Sequence, residues 1–178
     1  ILNWCKDNEK YIVAGAKFKH ETIEEQFYNT AIVINPQGEI EFKQVKCTPI
    51  QFFKDGMPAK EQKLWKSPWG QIGLCICYDL SYTQVTDELV CQGAEALLIP
   101  TMDAEHWGEN QHFLHSKVAP VKSVEYKIPI FKVCSSGISQ FLDSNGNLLD
   151  SAPFPGQGDM LTASLPMTKK AALPFDRY

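Results

Sequence analysis

Tyr11-Ile12-Val13-Ala14-Gly15-Ala16 is an apolar run short enough to predict a buried strand. Asn29 to Asn35 (NTAIVIN) predicts a second strand, Pro36-Gln37-Gly38 a turn, and Glu39 to Lys46 the returning strand. From Cys47 to Trp69 the periodicity stops, and Pro, Phe and Lys are frequent. A stretch of that length without regular structure predicts a site loop. Ile72 to Tyr78 is continuously apolar, as a strand covered on both faces is. Thr83 to Gln92 predicts a helix stopping at Gly93, and Glu95 to Pro100 (EALLIP) another buried strand. Between Asn110 and Tyr126 the apolar residues Leu114, Val118, Val121 and Val124 recur at helical spacing, with Pro120 expected to kink the helix. Ile128 to Val133, a hairpin from Gln140 to Leu149 around Asp143-Ser144-Asn145-Gly146, and Asp159 to Leu165 are the remaining predicted strands.

Strand, helix, strand, helix, strand in the middle of the chain predicts a layered α/β fold. Hairpins toward both ends make the sheet mixed rather than all parallel. Chemistry in such sheets collects just past the carboxyl ends of strands, where Cys77-Tyr78-Asp79 stands. With no internal repeat, low-complexity tract or dividing linker, the expected organisation is one domain over residues 1–178. The opening Ile1-Leu2-Asn3-Trp4 reads as the interior of a longer chain, so an N-terminal portion is expected to be missing.

Composition narrows the function classes. A formal charge of -4 offers no basic stripe and argues against nucleic acid as a partner. No apolar run approaches the length of a bilayer span, and no signal peptide opens the chain. The six cysteines, Cys5, Cys47, Cys75, Cys77, Cys91 and Cys134, lack framework spacing, which points to a reducing compartment and a cytoplasmic location. His112 and His115 lie at i, i+3, but no Cys or carboxylate is spaced to complete a metal site. Neither a metal nor another cofactor is expected.

Cys77 is the strongest chemical candidate. A thiol attacks well only as thiolate, so it needs a nearby positive charge or base. Taken alone it reads as a buried strand cysteine. However, Gly73-Leu74-Cys75-Ile76-Cys77-Tyr78-Asp79-Leu80 closely resembles the nucleophile segment G-x-x-I-C-Y-D/E of the carbon–nitrogen hydrolase (nitrilase) superfamily. The resemblance makes Cys77 the nucleophile, not Cys75. That family also carries a catalytic lysine after an N-x-A…P-x-G hairpin. Tyr28-Asn29-Thr30-Ala31 and Asn35-Pro36-Gln37-Gly38 match it, which places the lysine at Lys46. Lys43 is the fallback and should face the opposite side of the strand.

Downstream, Gly93-Ala94-Glu95-Ala96-Leu97-Leu98-Ile99-Pro100-Thr101 is similar to the family's G-A-E-x-L-x-x-P-T/S strand. Gln111-His112 and Lys122-Ser123-Val124-Glu125 resemble the following helix, and Ser136-Gly137-Ile138-Ser139 with the hairpin to Gly146 resembles T-G-I-S…D-x-x-G. The resemblance covers nearly the whole chain. It implies an α/β, four-layer αββα nitrilase-like sandwich with mixed sheets, lacking here its N-terminal strand and helix segment.

The implied chemistry is acyl transfer through a thioester on Cys77. The Lys46 ammonium and the Tyr78 backbone N–H, with Asp79 beside them, would stabilise the oxyanion, and the Lys46 amine should lie near the Cys77 sulfur. The family's glutamate base belongs to a segment before Tyr11 and has no match in this chain; Glu9, Glu21, Glu24 and Glu25 read as surface charges. A second family glutamate is also missing from Pro49-Ile50-Gln51-Phe52-Phe53-Lys54-Asp55, where Asp55 is the nearest carboxylate.

Two branches fit: amidases and nitrilases, which use water, and apolipoprotein N-acyltransferases, which pass the acyl group to an amine. Thr101-Met102-Asp103 with Trp107-Gly108 looks more like the second, as do Gly137-Ile138-Ser139 and the tail from Leu165 to Tyr178. Thr101, Asp103 and Trp107 are thus the substrate-pocket candidates. The absence of P-F-G-E after the lysine, and the number of cysteines, point the other way. The expected function is amidase-like hydrolysis of a small-molecule substrate. Its alternatives are transfer from an acyl donor to an amine by a membrane-tethered domain outside the cytoplasm, and a catalytically dead scaffold. A homo-oligomer is compatible with each.

Overall fold

The computed structural model describes residues 1–52, 54–156 and 158–177 and divides into two units, Ile1–Gln62 and Lys63–Tyr178. Phe53 of the irregular stretch and Tyr178 of the tail lie outside the described residues. The first unit holds helix α1 (Leu2–Asn8) and strands β1 (Ile12–Lys19), β2 (Phe27–Ile34) and β3 (Ile40–Val45), in an antiparallel sheet of order β1-β2-β3. This sheet is not mixed, since every connection within it is short. The Asn35 side-chain oxygen sets the β2–β3 turn by accepting from the N–H groups of Gln37 (3.0 Å) and Glu39 (2.9 Å). Gly38 takes φ +79° there, and a Cβ would lie 2.8 Å from the Leu2 carbonyl oxygen.

Burial concentrates on β2, where Thr30 to Ile34 are all buried. The expectation of a buried first strand is corrected. β1 has only half-buried and exposed positions, with Ala14, Ala16 and Phe18 packed toward Cys5, Ile32 and Ile34. α1 had no counterpart in the sequence reading, because a seven-residue helix with Cys5 as its one buried residue carries no periodic signal.

The second unit is a six-stranded sheet of order β4 (Leu64–Ser67), β5 (Gly70–Leu74), β6 (Ala96–Thr101), β7 (Ile130–Cys134), β8 (Ser139–Leu142) and β9 (Leu148–Ala152). Its centre, β5-β6-β7, is parallel and its flanks antiparallel, so this sheet is mixed as expected. Helices α2 (Thr83–Cys91), α3 (Glu109–Ser116) and α4 (Val118–Tyr126) make the crossovers. Leu74, Leu89, Leu97, Ile99, Ile128 and Ile130 are at most 1% exposed, each burial contributing about 1.5–3 kcal/mol.

Four predicted elements change. The Cys47–Trp69 stretch is not loop throughout: its end forms β4, with Trp65 in the core and Ser67 Oγ bonded to the Gly70 carbonyl (2.7 Å). The strand expected over Ile72–Tyr78 stops at Leu74, and Cys77–Ser81 is a 3₁₀ turn. The long helix breaks at Lys117, and Pro120 sits in the first turn of α4, where a missing N–H costs no intrahelical bond. Residues 159–165 form no strand and are mostly exposed.

The face of α3 and α4 is also inverted. Leu114, Val121 and Val124 are more than half exposed, whereas His112, His115, Ala119, Lys122, Ser123 and Tyr126 are buried. Polar partners explain the inversion at two positions, where Lys122 pairs with Glu125 (2.9 Å) and the Ser123 hydroxyl bonds the Asp143 carbonyl, while the His112 ring stacks on Phe154. Among the described residues no helix is long and apolar enough to cross a membrane.

Candidate active site

In the first unit the chemistry gathers at the end of β3. Lys46 is 1% exposed, and its ammonium pairs with the Asp55 carboxylate. An ammonium buried without a partner would cost several kcal/mol, so a counter-charge is required. The chain supplies it by folding the segment after Lys46 back on itself. Asp55 accepts further bonds from Asn29 Nδ2 (2.9 Å) and the Ile50 N–H (2.9 Å). Backbone bonds from the Lys46 N–H to the Asn29 carbonyl and from the Ala59 N–H to the Lys46 carbonyl, both 2.8 Å, fix the strand end. Lys43 faces the other way, as its odd spacing requires: it is exposed, with Nζ 4.4 Å from the centre of the Phe18 ring.

In the second unit Cys77 begins the 3₁₀ turn three residues past β5, with φ +55°. A non-glycine residue in the left-handed region costs about 1 kcal/mol or more and persists only where its surroundings impose it. Asp79 imposes it here. Its carboxylate accepts from the Ile76 N–H (3.2 Å), its own N–H donates to the Ile76 carbonyl (3.0 Å), and its carbonyl accepts from the Tyr82 N–H (3.1 Å). Asp79 is fully buried and shapes the turn. The Cys77 thiol is 4% exposed, 4.0 Å from the Met102 carbonyl oxygen.

Beside the sulfur stands a buried pair that the sequence reading did not join. Asp103 follows β6 and His115 closes α3, and Asp103 Oδ1 lies 2.9 Å from His115 Nδ1. The Cys77 sulfur, an Asp103 oxygen and a His115 ring nitrogen all lie within 4.8 Å of one another. The Tyr78 ring stacks on His115 with centroids 4.5 Å apart, and its hydroxyl accepts from Gln111 Nε2 (2.5 Å). Lys132 on β7 donates to the His115 carbonyl at 3.3 Å. Gly137 admits Asp103, since a Cβ there would lie 2.2 Å from Oδ2.

These contacts set the local electrostatics. Burial alone would raise the Asp103 carboxyl, but the His115 hydrogen bond and the charges of His115 and Lys132 outweigh it and hold it below the usual carboxylate range. Burial, with the nearby Asp103 charge, pushes the Cys134 thiol up to about 12. Burial also raises the Tyr78 phenol, as do the Cys77 and Asp103 charges, against the Gln111 hydrogen bond.

Of the pocket candidates, Asp103 is placed beside Cys77. The Thr101 hydroxyl turns back to the Ile99 carbonyl (3.3 Å), and half-buried Trp107 ends a short 3₁₀ turn. His115, Gln111 and Lys132 were missed as site residues. The one available signal was Asp103 and His115 flanking a helix start, but their pairing depends on how β6 leads into α3. Sequence spacing does not show that path.

A sequence profile of the family described as Carbon-nitrogen hydrolase matches residues 2–172. Apolipoprotein N-acyltransferase 1 of Treponema denticola is 28% identical over 124 residues, covering 70% of this chain and 22% of that protein. The deaminated glutathione amidase of Dictyostelium discoideum is 26% identical over 171 residues, covering 84% and 58%. The chain thus spans less than two thirds of either relative. Among solved structures, an amidase from Nesterenkonia sp. AN1, with acrylamide added to its active-site cysteine, superposes with a TM-score of 0.74 at 19% identity. That match covers 87% of this chain and 64% of the amidase chain, and the two share a fold.

Proposed function

The chain belongs to the carbon–nitrogen hydrolase family, and we propose that it carries the nucleophile of an amidase-like enzyme that breaks amide-type bonds through a thioester on Cys77. The observation that supports this most is the Cys77 turn. A buried thiol past the carboxyl end of a central parallel strand is held at φ +55° by Asp79, within the Ile76-Cys77-Tyr78 step. Strain of this kind is worth keeping where it aims a reacting atom.

In the proposed reaction the Cys77 thiolate attacks the carbonyl carbon and forms a C–S bond, and the carbonyl electron pair moves to oxygen. The oxyanion then collapses, the C–N bond breaks, and the amine leaves with the proton that the thiol gave up. Water hydrolyses the thioester and returns the thiol. The Tyr78 N–H, first in the turn after the nucleophile, is an oxyanion donor of the kind that contributes about 3–4 kcal/mol. Lys46 takes the lysine's part on its motif position and its buried pairing with Asp55. We take residues 1–178 as one domain of the family, because the profile match runs through both units.

A second reading keeps the thioester and changes the acceptor to an amine. It is favoured by the match to the Treponema denticola acyltransferase and by the Thr101-Met102-Asp103 to Trp107-Gly108 segment. One experiment sorts the readings. The protein is incubated with simple amides, esters and a phospholipid, and the Cys77 peptide is weighed. An acyl mass released by hydroxylamine supports the thioester, and the donor that leaves it separates amidase from acyltransferase. No adduct from any donor counts for a binding scaffold.

A further inference from the structure

We propose that Cys77, Asp103 and His115 form a three-ligand site for a zinc-class divalent cation, and that the bound cation silences the Cys77 thiol. The donor set is a sulfur, an imidazole nitrogen and a carboxylate oxygen, the mixture that Zn²⁺ accepts in four-coordinate sites with one open position. The three atoms lie within 4.8 Å of one another, and all three residues are buried. Zinc bonds of about 2.0–2.3 Å in a tetrahedral arrangement need ligand atoms roughly 3.3–3.8 Å apart. Small side-chain rotations close that gap.

Independent observations support a built site. Asp103 is 1% exposed, and its Oδ2 meets no donor in good hydrogen-bond geometry among the described residues, although the Cys134 thiol lies close enough to help lower the carboxyl's pKa. The one thiol proton of nearby Cys134 goes to the Ile138 carbonyl at 3.2 Å. A buried carboxylate oxygen without a well-placed donor is destabilising, and a bound cation removes that penalty. The ligands also stand on supported parts of the fold: Cys77 on the turn closed by Asp79, His115 under the Tyr78 ring, and Asp103 against Gly137.

Lys132, bonded to the His115 carbonyl, opposes a second positive charge and limits affinity. A cation of modest affinity that occupies the nucleophile is an inhibitor, released when the metal falls or a chelator is added. The silencing rests on the reading of Cys77 as the reactive thiol; the binding does not.

The test needs no turnover. The full chain is treated briefly with iodoacetamide, without and with one equivalent of Zn²⁺, and labelling is mapped by peptide. Zinc should slow Cys77 alkylation at least tenfold, EDTA should restore it, and Asp103→Asn and His115→Gln should each abolish the protection with far-ultraviolet circular dichroism unchanged. As a readout independent of how the Asp103 and His115 variants fold, Co²⁺ is titrated into the wild type and Cys77→Ser. A thiolate-to-cobalt charge-transfer band saturating at one equivalent in the wild type, and absent in Cys77→Ser, supports the site. No protection and no cobalt band, or equal protection in both folded variants, overturns it. Amide turnover measured on metal-free protein reports separately on the proposed reaction, so one reading can fail without the other.

Discussion

Each unit buries a carboxylate against a basic side chain, and the two pairs differ in how fully they are satisfied. Asp55 sits nine residues from Lys46 and accepts from the ammonium, an amide side chain and a backbone N–H. Asp103 sits twelve residues from His115 and bonds it through Oδ1, while Oδ2 meets no donor in good hydrogen-bond geometry among the described residues. The first pair is closed and holds a lysine charge in place. The second is open, with a thiol beside it. A saturated network resists change and an unsaturated one invites a ligand, which is why the proposed reaction is assigned to the second.

The largest effect should come from breaking the closed pair. Asp55→Ala leaves the Lys46 ammonium buried without a counter-charge and should destabilise the fold by about 3–5 kcal/mol in urea unfolding. Asp103→Asn keeps shape at the open pair and should cost less, about 1–3 kcal/mol. A loss at Asp55 no greater than at Asp103 would erase the distinction.

The same contrast has a pH signature. The folded-state pKa of Asp103 is depressed, so its stabilisation is full above the ordinary carboxyl pKa of about 3.9 and is lost as pH falls through the lower folded value. Urea midpoints measured from pH 6 down to 2 should therefore fall less steeply in Asp103→Asn than in the wild type. Parallel slopes would contradict the assigned charge.

Gly137→Ala sharpens the comparison further, because its Cβ would overlap Asp103 Oδ2. It should cost about 1–3 kcal/mol through overpacking and leave the Asp55 pair untouched. The smallest effect is expected at exposed Lys43, whose cation–π contact with Phe18 is worth about 0.5–1 kcal/mol. Lys43→Ala should leave thermal unfolding nearly unchanged, and a drop as large as that of Asp55→Ala would exchange the roles given to Lys43 and Lys46.

What could be read from the chain follows interaction range. The Asn29 to Lys46 hairpin, the helix after Thr83 and the strand before Pro100 were legible because their signals are local. Cys77 and Lys46 stood out through motif position, and Asp55, only the nearest carboxylate in the sequence, proved to be the partner of Lys46. His115 has no ligand at helical spacing in the sequence, whereas Asp103 reaches it from the end of β6. The α3–α4 face was misread for a related reason. Ser123 and Tyr126 are buried against long-range partners and Lys122 against Glu125 one turn on, and hydropathy cannot see partners.

The sharpest measurement compares thiols within one molecule. Cys134 is pushed up to about 12 and is therefore almost wholly protonated at neutral pH. Cys77 stands in a strained turn at the open pair. Brief iodoacetamide treatment of the folded, metal-free protein at mildly acidic pH, followed by peptide mapping, should label Cys77 ahead of the other five cysteines and Cys134 only after unfolding. Labelling of exposed Cys91 or of Cys134 ahead of Cys77 would contradict Cys77 as the activated nucleophile.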